Sequence, residues 1–140
     1  MDDTDRQLIA LLRENARMPV VVMARKLRVA RATVQNRLAR LEKAGVIVGY
    51  TVQLRPETAA QHIRAIMSLA VESNREEAVM RQLRGHVSVV MLHSVNGRWD
   101  LVAELRLDSM PALELLVSSV RAIPGVQATE TSIVLSTYKL

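Results

Sequence analysis

Amide, hydroxyl and basic side chains between residues 31 and 43 form a pattern that suits contact with DNA bases. On a helical wheel, Asn36 lies opposite the apolar stripe that contains Val34 and Leu38. An asparagine or glutamine amide can form two hydrogen bonds with the edge of adenine in the major groove. The predicted base contacts are Ala32, Thr33, Gln35 and Asn36.

Basic side chains surround this predicted base-reading face. Such side chains pair with phosphates, which supplies affinity and register but little choice of sequence. The predicted phosphate contacts are Arg25, Lys26, Arg28, Arg31, Arg37, Arg40 and Lys43. The alternative is that the helix belongs to an ordinary three-helix bundle and that its polar side chains are only solvated.

The distribution of charge favours a nucleic-acid partner. The chain has 140 residues and a formal net charge of +5. Residues 1–55 carry eleven Lys or Arg and five Asp or Glu, a net charge of +6, whereas residues 56–140 carry eight and nine, a net charge of −1. The basic excess therefore lies in the first 55 residues, which indicates an anionic partner for that part.

Composition excludes several classes of function. The chain has no cysteine, which rules out disulfides and thiolate metal sites. One Trp, two Tyr and no Phe are too few for a surface on which bases stack. No apolar run approaches the ~18 residues of a membrane span, and the segment Met1–Asp5 is acidic, unlike a secretory signal. We therefore expect a cytoplasmic protein without a membrane partner.

The sequence gives little support to catalysis. It has no nucleophile motif and no glycine-rich phosphate loop. Its histidines His62, His86 and His93 are spaced so that they predict no ligand cluster. A small enzyme remains an alternative, because the ferredoxin-like fold that residues 63–140 predict (see below) also occurs in dimeric enzymes. We expect no enzymatic activity and no metal or cofactor.

Three short helices are predicted to position the base-reading face. Apolar residues at helical spacing give their approximate bounds. The predicted helices are Asp5–Leu12 with Thr4 or Asp5 as N-cap, a short second helix with Pro19 among its first residues, and Arg31–Lys43. Apolar residues in Val46–Val52 predict a strand that follows the third helix. This order is typical of a winged helix-turn-helix, which we assign to residues 1–50.

Residues 63–140 have the periodicity of an α+β domain. The predicted strands are Ile63–Val71, Val87–Val95, Leu101–Leu107 and Val126–Leu135, with one helix opened by a capping box at Ser73 and another capped by Asp108 or Ser109. The order βαββαβ is ferredoxin-like. Residues 51–62 are predicted to be a linker strand. The first strand is apolar on both faces, so we expect sheet faces to pack between subunits.

Five segments that span nearly the whole chain match the pattern of one family. They are Asp5–Arg17, Thr33–Tyr50, Val95–Leu101, Ile123–Val126 and Thr129–Leu135. On these residues the chain resembles the Lrp/AsnC family of leucine-responsive and asparagine-synthesis regulators, which are transcription factors of bacteria and archaea. Two positions depart from the family pattern. Ala30 replaces a serine that would cap the recognition helix, and Arg98 stands where the family often has an acid.

The resemblance implies a regulator of transcription that binds double-stranded DNA and dimerises through its C-terminal domains, often assembling into octamers. It also implies an amino acid or related metabolite bound between dimers at a Gly-x-x-Asp hairpin. The predicted effector contacts are Asn96, Gly97, Arg98 and Asp100. Asn96-Gly97 is a strong signal for a two-residue hairpin turn, and a nearby carboxylate would complement an ammonium group.

Two alternatives to this effector site stay open. Asp100 is either an effector contact or a solvated acid at the end of a strand. The whole chain is either a metabolite-gated regulator or an architectural protein that organises DNA without an effector.

Overall fold

The computed structural model describes residues 1–54 and 62–138. They belong to two units, Met1–Gln53 and Leu54–Leu140. The predicted linker boundaries at residues 51 and 62 stay a prediction, and residues 55–61 of that linker lie outside the described residues.

The N-terminal unit consists of three helices around a small apolar core. They are α1 (Asp3–Glu14), α2 (Val20–Leu27) and α3 (Arg31–Lys43). Leu8, Met23, Val34 and Leu41 are buried at their centre. The third helix has the predicted bounds, because its apolar spacing begins and ends with the segment that packs on this core.

The first helix begins two residues before the predicted start. Its N-cap is Asp2, whose carboxylate accepts a hydrogen bond of 2.9 Å from the backbone N–H of Asp5. The carboxylate of Asp5 accepts a bond of 3.0 Å from the N–H of Asp2 in return. This reciprocal pair is a capping box with aspartate in both positions, and it replaces the predicted cap at Thr4 or Asp5.

A tight turn joins α2 to α3 without glycine or a side-chain cap. Arg28 adopts the left-handed backbone conformation, with φ 54°, which glycine usually occupies at this place after a helix. Ala30 is the N-cap of α3 and forms no side-chain hydrogen bond there. The recognition helix therefore begins without the side-chain cap that a serine would provide.

The predicted wing strand is wrong for the described part of the chain, since residues 1–54 contain no strand. The backbone N–H groups of Val46 and Ile47 both donate to the carbonyl of Leu41, at 3.0 and 3.1 Å. These bonds finish the C-terminus of α3 rather than a sheet. Apolar periodicity alone does not supply the neighbouring strand that an isolated strand needs.

The C-terminal unit is a four-stranded antiparallel sheet in the order β2-β3-β1-β4. Its elements are β1 (Ile63–Val71), α4 (Glu76–Arg84), β2 (Val89–Ser94), β3 (Leu101–Leu107), α5 (Met110–Arg121) and β4 (Val126–Ile133). Met67 and Leu69 of β1 and Leu101 of β3 pack with residues of both helices in one core. The structure thus confirms the predicted α+β fold with a βαββαβ order.

Several boundaries in this unit differ from prediction. Helix α4 has Arg75 as N-cap without a side-chain bond, so the predicted capping box at Ser73 does not form. Strand β2 begins at Val89 rather than Val87, and its register shifts between Val89 and Met91. Strand β4 ends at Ile133, two residues earlier than predicted. Each boundary depends on pairing or cap geometry that the local pattern does not determine.

Candidate DNA-binding face and effector hairpin

Helix α3 exposes most of the residues predicted to contact bases. Ala32, Gln35 and Asn36 are exposed, whereas Thr33 is half-buried. Val34 on the opposite side is fully buried against the core of the unit. This burial determines the rotation of α3 about its axis, so the amide groups of Gln35 and Asn36 belong to the outer surface.

Basic side chains are exposed along α2, the turn and α3. The exposed basic residues are Arg25, Lys26, Arg28, Arg31, Arg40 and Lys43. The Nζ atom of Lys26 lies 3.9 Å from Glu14 Oε2, a long and solvent-exposed ion pair. Such a pair contributes little to stability, and it leaves the ammonium group of Lys26 accessible to a phosphate.

Arg37 and Arg40 contact α1 instead of pointing only to solvent. The Nη1 atom of Arg37 donates to Asp2 Oδ1 at 2.7 Å and to Asp5 Oδ1 at 2.8 Å. The Nη2 atom of Arg40 donates to both carboxylate oxygens of Asp5, at 2.9 and 2.8 Å. The structure thus gives both arginines intramolecular partners on Asp2 and Asp5. Their predicted phosphate contacts stay predictions.

The carboxylates of this ion-pair network are held in their charged forms. The hydrogen bond from Arg37 is the largest cause that lowers the pKa of Asp5, from its ordinary 3.8 to about 2. The same guanidinium lowers the pKa of Asp2, and the two carboxylates together raise the pKa of Arg37. Asp5 is only 1% exposed, so its charge needs these partners.

Sequence reasoning missed Asp2 and Asp5 as residues that determine the position of the recognition helix. The available signal was a pair of aspartates three residues apart, at the N-cap and N3 positions of α1, in a part of the chain with a net positive charge. Arg37 and Arg40 have the same spacing on α3, so two acids and two bases can meet where the helices cross.

The segment after α3 is tied back to that helix by one side-chain contact. The hydroxyl of Tyr50 donates a hydrogen bond of 2.8 Å to Glu42 Oε1. This bond to a carboxylate raises the pKa of Tyr50, because loss of the hydroxyl proton would place two negative charges together. This hydrogen bond attaches Tyr50 to α3, although the segment around residue 50 is not a strand.

The predicted hairpin is present, but its loop is longer than two residues. The backbone N–H of Val95 donates to the carbonyl of Asp100 at 3.0 Å, so four residues lie between this pair. Gly97 has φ 115°, which agrees with the need for glycine in the loop. The guanidinium of Arg98 lies 5.1 Å from the ring centre of Trp99, a cation–π contact.

Asp100 has a structural contact that the sequence did not reveal. Its Oδ2 atom accepts a hydrogen bond of 2.7 Å from the backbone N–H of Val71. Asn96, Gly97 and Arg98 are exposed, whereas Asp100 is half-buried. The four predicted effector contacts therefore comprise three exposed loop residues and one acid that already holds the end of β1.

A shallow cavity of about 420 Å³ lies elsewhere in this unit, between α5 and β4. Its lining includes Val117, Arg121 and Thr131. None of the predicted effector contacts lines it. The exposed hairpin loop and this cavity are therefore separate features of the C-terminal unit.

The three histidines make separate local contacts. His62 Nδ1 lies 2.7 Å from Asp108 Oδ1, and His93 Nε2 lies 3.8 Å from Glu104 Oε1. His86 Nδ1 accepts a hydrogen bond from the N–H of Ser88. Among residues 1–54 and 62–138, no three His, Cys, Asp or Glu side chains form a group that could hold a metal ion. No helix in those ranges is long and apolar enough to cross a membrane.

Two family models cover most of the sequence. The AsnC-type helix-turn-helix domain matches residues 1–42, and the Lrp/AsnC ligand binding domain matches residues 64–140. The chain belongs to the Lrp/AsnC family. It is therefore a DNA-binding transcriptional regulator of Lrp/AsnC type, and it carries a ferredoxin-like regulatory domain.

Relatives of known sequence and structure agree with this assignment. An uncharacterized HTH-type transcriptional regulator of Pyrococcus furiosus is 31% identical over 99% of this chain and 94% of the relative. The crystal structure of the leucine response regulatory protein LrpA of Mycobacterium tuberculosis superposes with a TM-score of 0.83, is 28% identical, and covers 100% of this chain and 96% of that one.

A third relative is a complex with an amino acid. The crystal structure of a transcriptional regulator from Neisseria meningitidis in complex with L-Met has a TM-score of 0.83 and 23% identity, with coverage of 100% of this chain and 93% of that one. At this identity the likeness shows the shared fold. The members of this family are transcriptional regulators rather than enzymes.

Proposed function

We propose that α3 enters the major groove and gives this regulator its sequence preference through Ala32, Thr33, Gln35 and Asn36. The exposed amide-bearing face of α3, opposite the buried Val34, is the observation that carries this proposal. Alanine at position 32 permits close approach to the bases, and the amides of Gln35 and Asn36 can form paired hydrogen bonds with adenine.

Phosphate contacts accompany this base contact. Arg25, Lys26, Arg28, Arg31 and Lys43 are all exposed on the helix-turn-helix. Paired with phosphates, they release counterions from the duplex, which makes affinity depend strongly on salt. These side chains supply binding strength and register, while α3 supplies discrimination.

A comparison of two substitutions on α3 tests the proposal. Asn36→Ala should weaken the free energy of binding by roughly 1–3 kcal/mol for a duplex that the wild-type protein selects from a random pool. Its binding to unselected duplexes should change little. Lys43→Ala is the matched control and should weaken both classes, with a salt slope lower by about one. Gel shifts at several salt concentrations measure both effects. A uniform loss for Asn36→Ala would show that Asn36 does not contact bases.

We propose that the C-terminal unit forms homodimers and that these dimers assemble further into octamers. The face of the sheet opposite its helices exposes Ile66 and Met91, which are 41% and 52% exposed. Apolar side chains on an open sheet face favour burial against a second copy. Ile66→Glu should lower the mass measured by light scattering, whereas Val87→Glu, in a loop residue that is 93% exposed, should not.

We also propose that an amino acid or related metabolite binds at the hairpin and changes the affinity of the protein for DNA. The regulator would act in the cytoplasm. Asn96, Gly97 and Arg98 are exposed, so backbone N–H groups of this loop and the guanidinium of Arg98 offer partners for a carboxylate. The L-Met complex of the Neisseria relative supports this class of ligand.

A thermal-shift screen of the common amino acids tests the ligand, because a ligand stabilises the state that it binds. Arg98→Ala should reduce the shift, whereas Arg84→Ala, an exposed arginine of α4, should leave it unchanged. A screen without any shift would favour an architectural protein that organises DNA without an effector.

A further inference from the structure

In the ion-pair network of Asp2, Asp5, Arg37 and Arg40, the two arginines differ in exposure and in the number of aspartates that they contact. The side chain of Arg37 is 23% exposed and its Nη1 atom contacts both aspartates. The side chain of Arg40 is 60% exposed, and only its Nη2 atom contacts Asp5. Within the described residues, the other nitrogens of Arg40 donate no hydrogen bond. One nitrogen of that guanidinium, Nη2, is therefore held by Asp5. Nη1 and Nε form its available edge, because neither has a partner among those residues.

Arg40 is also the arginine that adjoins the base-contacting residues. It follows Asn36 by four residues, so the two side chains are neighbours on the same stripe of α3. Arg37 lies further round the helix, toward α1. The available edge of Arg40 is thus next to the side chain for which we propose a base contact.

We propose that Asp5 is a positioning residue for DNA binding, which orients the guanidinium of Arg40 so that its exposed edge meets a phosphate beside Asn36. In this assignment Arg37 joins α1 to α3 and takes no phosphate. The inference rests on the proposed function of α3. It goes further because it gives a buried acid of another helix a part in DNA affinity.

The burial of Asp5 makes it a fixed support. Its side chain is 1% exposed and also accepts a hydrogen bond from the N–H of Asp2, so it cannot follow a moving guanidinium. An arginine that is already oriented loses less rotamer freedom when it meets a phosphate. A flexible exposed arginine would lose that freedom on binding.

The network also avoids the repulsion that an acid near DNA would otherwise cause. Two carboxylates and two guanidiniums have a formal charge of zero together. The negative charge of Asp5 is therefore matched where it lies, and the available edge of Arg40 still presents positive potential to a phosphate. A lone aspartate at this place would oppose binding.

A double-mutant cycle on DNA affinity tests the proposal with the full-length protein. The probe is the duplex selected from a random pool by the wild-type chain, and the variants are Asp5→Asn, Arg40→Gln and both together. Asp5→Asn should lower affinity roughly tenfold when Arg40 is present and have little effect when Arg40 is glutamine. An equal loss in both backgrounds, or no loss in either, would overturn the proposal.

Asp3→Asn is the matched control for charge. Asp3 lies in the same turn of α1, but its partner is the exposed Arg6, at 2.7 Å. Its replacement removes the same charge and should leave affinity unchanged or slightly higher. If Asp3→Asn weakens binding as strongly as Asp5→Asn, the contact with Arg40 is not the cause.

Arg40→Lys keeps the positive charge and the Arg37 contact, so it provides a test if Asp5→Asn does not fold. A lysine side chain has one nitrogen, so it cannot place one nitrogen on Asp5 and a different nitrogen on a phosphate. We expect it to lose most of the affinity that Arg40→Gln loses, and wild-type affinity would contradict the proposal. Failure of the α3 proposal itself would be seen separately, as an unchanged sequence preference in Asn36→Ala.

Discussion

The carboxylate Oδ2 of Asp100 accepts a hydrogen bond of 2.7 Å from the backbone N–H of Val71, the last residue of β1. The N–H of Asp100 donates to the carbonyl of Leu69 at 2.9 Å. Together these bonds join the β2–β3 hairpin to the end of β1. The acid of the Gly-x-x-Asp segment therefore supports the fold independently of any effector.

Two substitutions separate the structural role of Asp100 from a role in effector binding. Asp100→Ala removes a charged acceptor and should lower the free energy of unfolding by about 1–3 kcal/mol. Asp100→Asn keeps an acceptor for the Val71 N–H and should lose less. Asp108→Ala, at an 88% exposed acid, should change it by less than about 0.5 kcal/mol. Thermal unfolding compares them, and equal losses for Asn and Ala at position 100 would contradict this account.

If Asp100→Asn stays folded but no longer responds to the amino acid that stabilises the wild-type chain, its charge contributes to the effector site. An unchanged thermal shift would restrict Asp100 to the structural role. Either result decides whether Asp100 contacts an effector, which the sequence left open.

Acid should weaken the N-terminal unit through Asp5. The pKa of this carboxyl is lowered from 3.8 to about 2 by the Arg37 hydrogen bond, so the folded state favours the charged form. The resulting stability is fully present above the unfolded pKa near 3.8 and is lost as the pH falls through about 2. Asp5→Asn should lack this component. Unfolding followed at successive pH values should show the two proteins converging at the acid end, and parallel curves would exclude the effect.

A serine at position 30 should stabilise the recognition helix. Ala30 is the N-cap of α3 and has no side-chain acceptor for the first free N–H groups. Ala30→Ser should raise the free energy of unfolding by about 1 kcal/mol. The control is Ala39→Ser in the exposed interior of α3, where serine is the poorer helix former and should cost about 0.5 kcal/mol. A loss at both positions would mean that the serine hydroxyl does not reach the backbone of α3.

Gly125 and Gly97 offer a test of steric fit against backbone strain. Both have positive φ, 101° and 115°, which an alanine adopts at a cost of roughly 1–2 kcal/mol. A Cβ on Gly125 would overlap the Cβ of Arg75 and lie 2.8 Å from its Cγ, whereas a Cβ on Gly97 would meet nothing within 4 Å. Gly125→Ala should therefore lose about 1–3 kcal/mol more than Gly97→Ala. Denaturant unfolding measures the difference, and equal losses would show that Arg75 moves aside.

The sequence predicted the elements whose pattern is complete within one segment. The bounds of β1 and β3 agree with prediction, because alternating apolar residues on both strands face one core. Helix α3 agrees for the same reason, since its apolar stripe extends from its first turn to its last. In these segments the local pattern and the final packing select the same residues.

Contacts between distant residues were beyond such reasoning. A helical wheel gives the direction in which the side chain of Arg40 leaves α3. It does not predict that this side chain bonds to Asp5, which is 35 residues away in the sequence. The carboxylate of Asp100 likewise meets the backbone of Val71, 29 residues earlier. The failed wing strand has the same origin, because a strand depends on a partner that its own residues do not contain.

Asp5 is both the N3 acid of α1 and the partner of two arginines of α3. Substitutions in these two helices during evolution should therefore be of two kinds. Changes at positions 5, 37 and 40 should be inherited together, because one altered member leaves an unmatched charge. Changes at Gln35 and Asn36 carry no such constraint. Under the proposed base contacts, substitutions at Gln35 and Asn36 can change the preferred DNA sequence while the ion pairs that position α3 are kept.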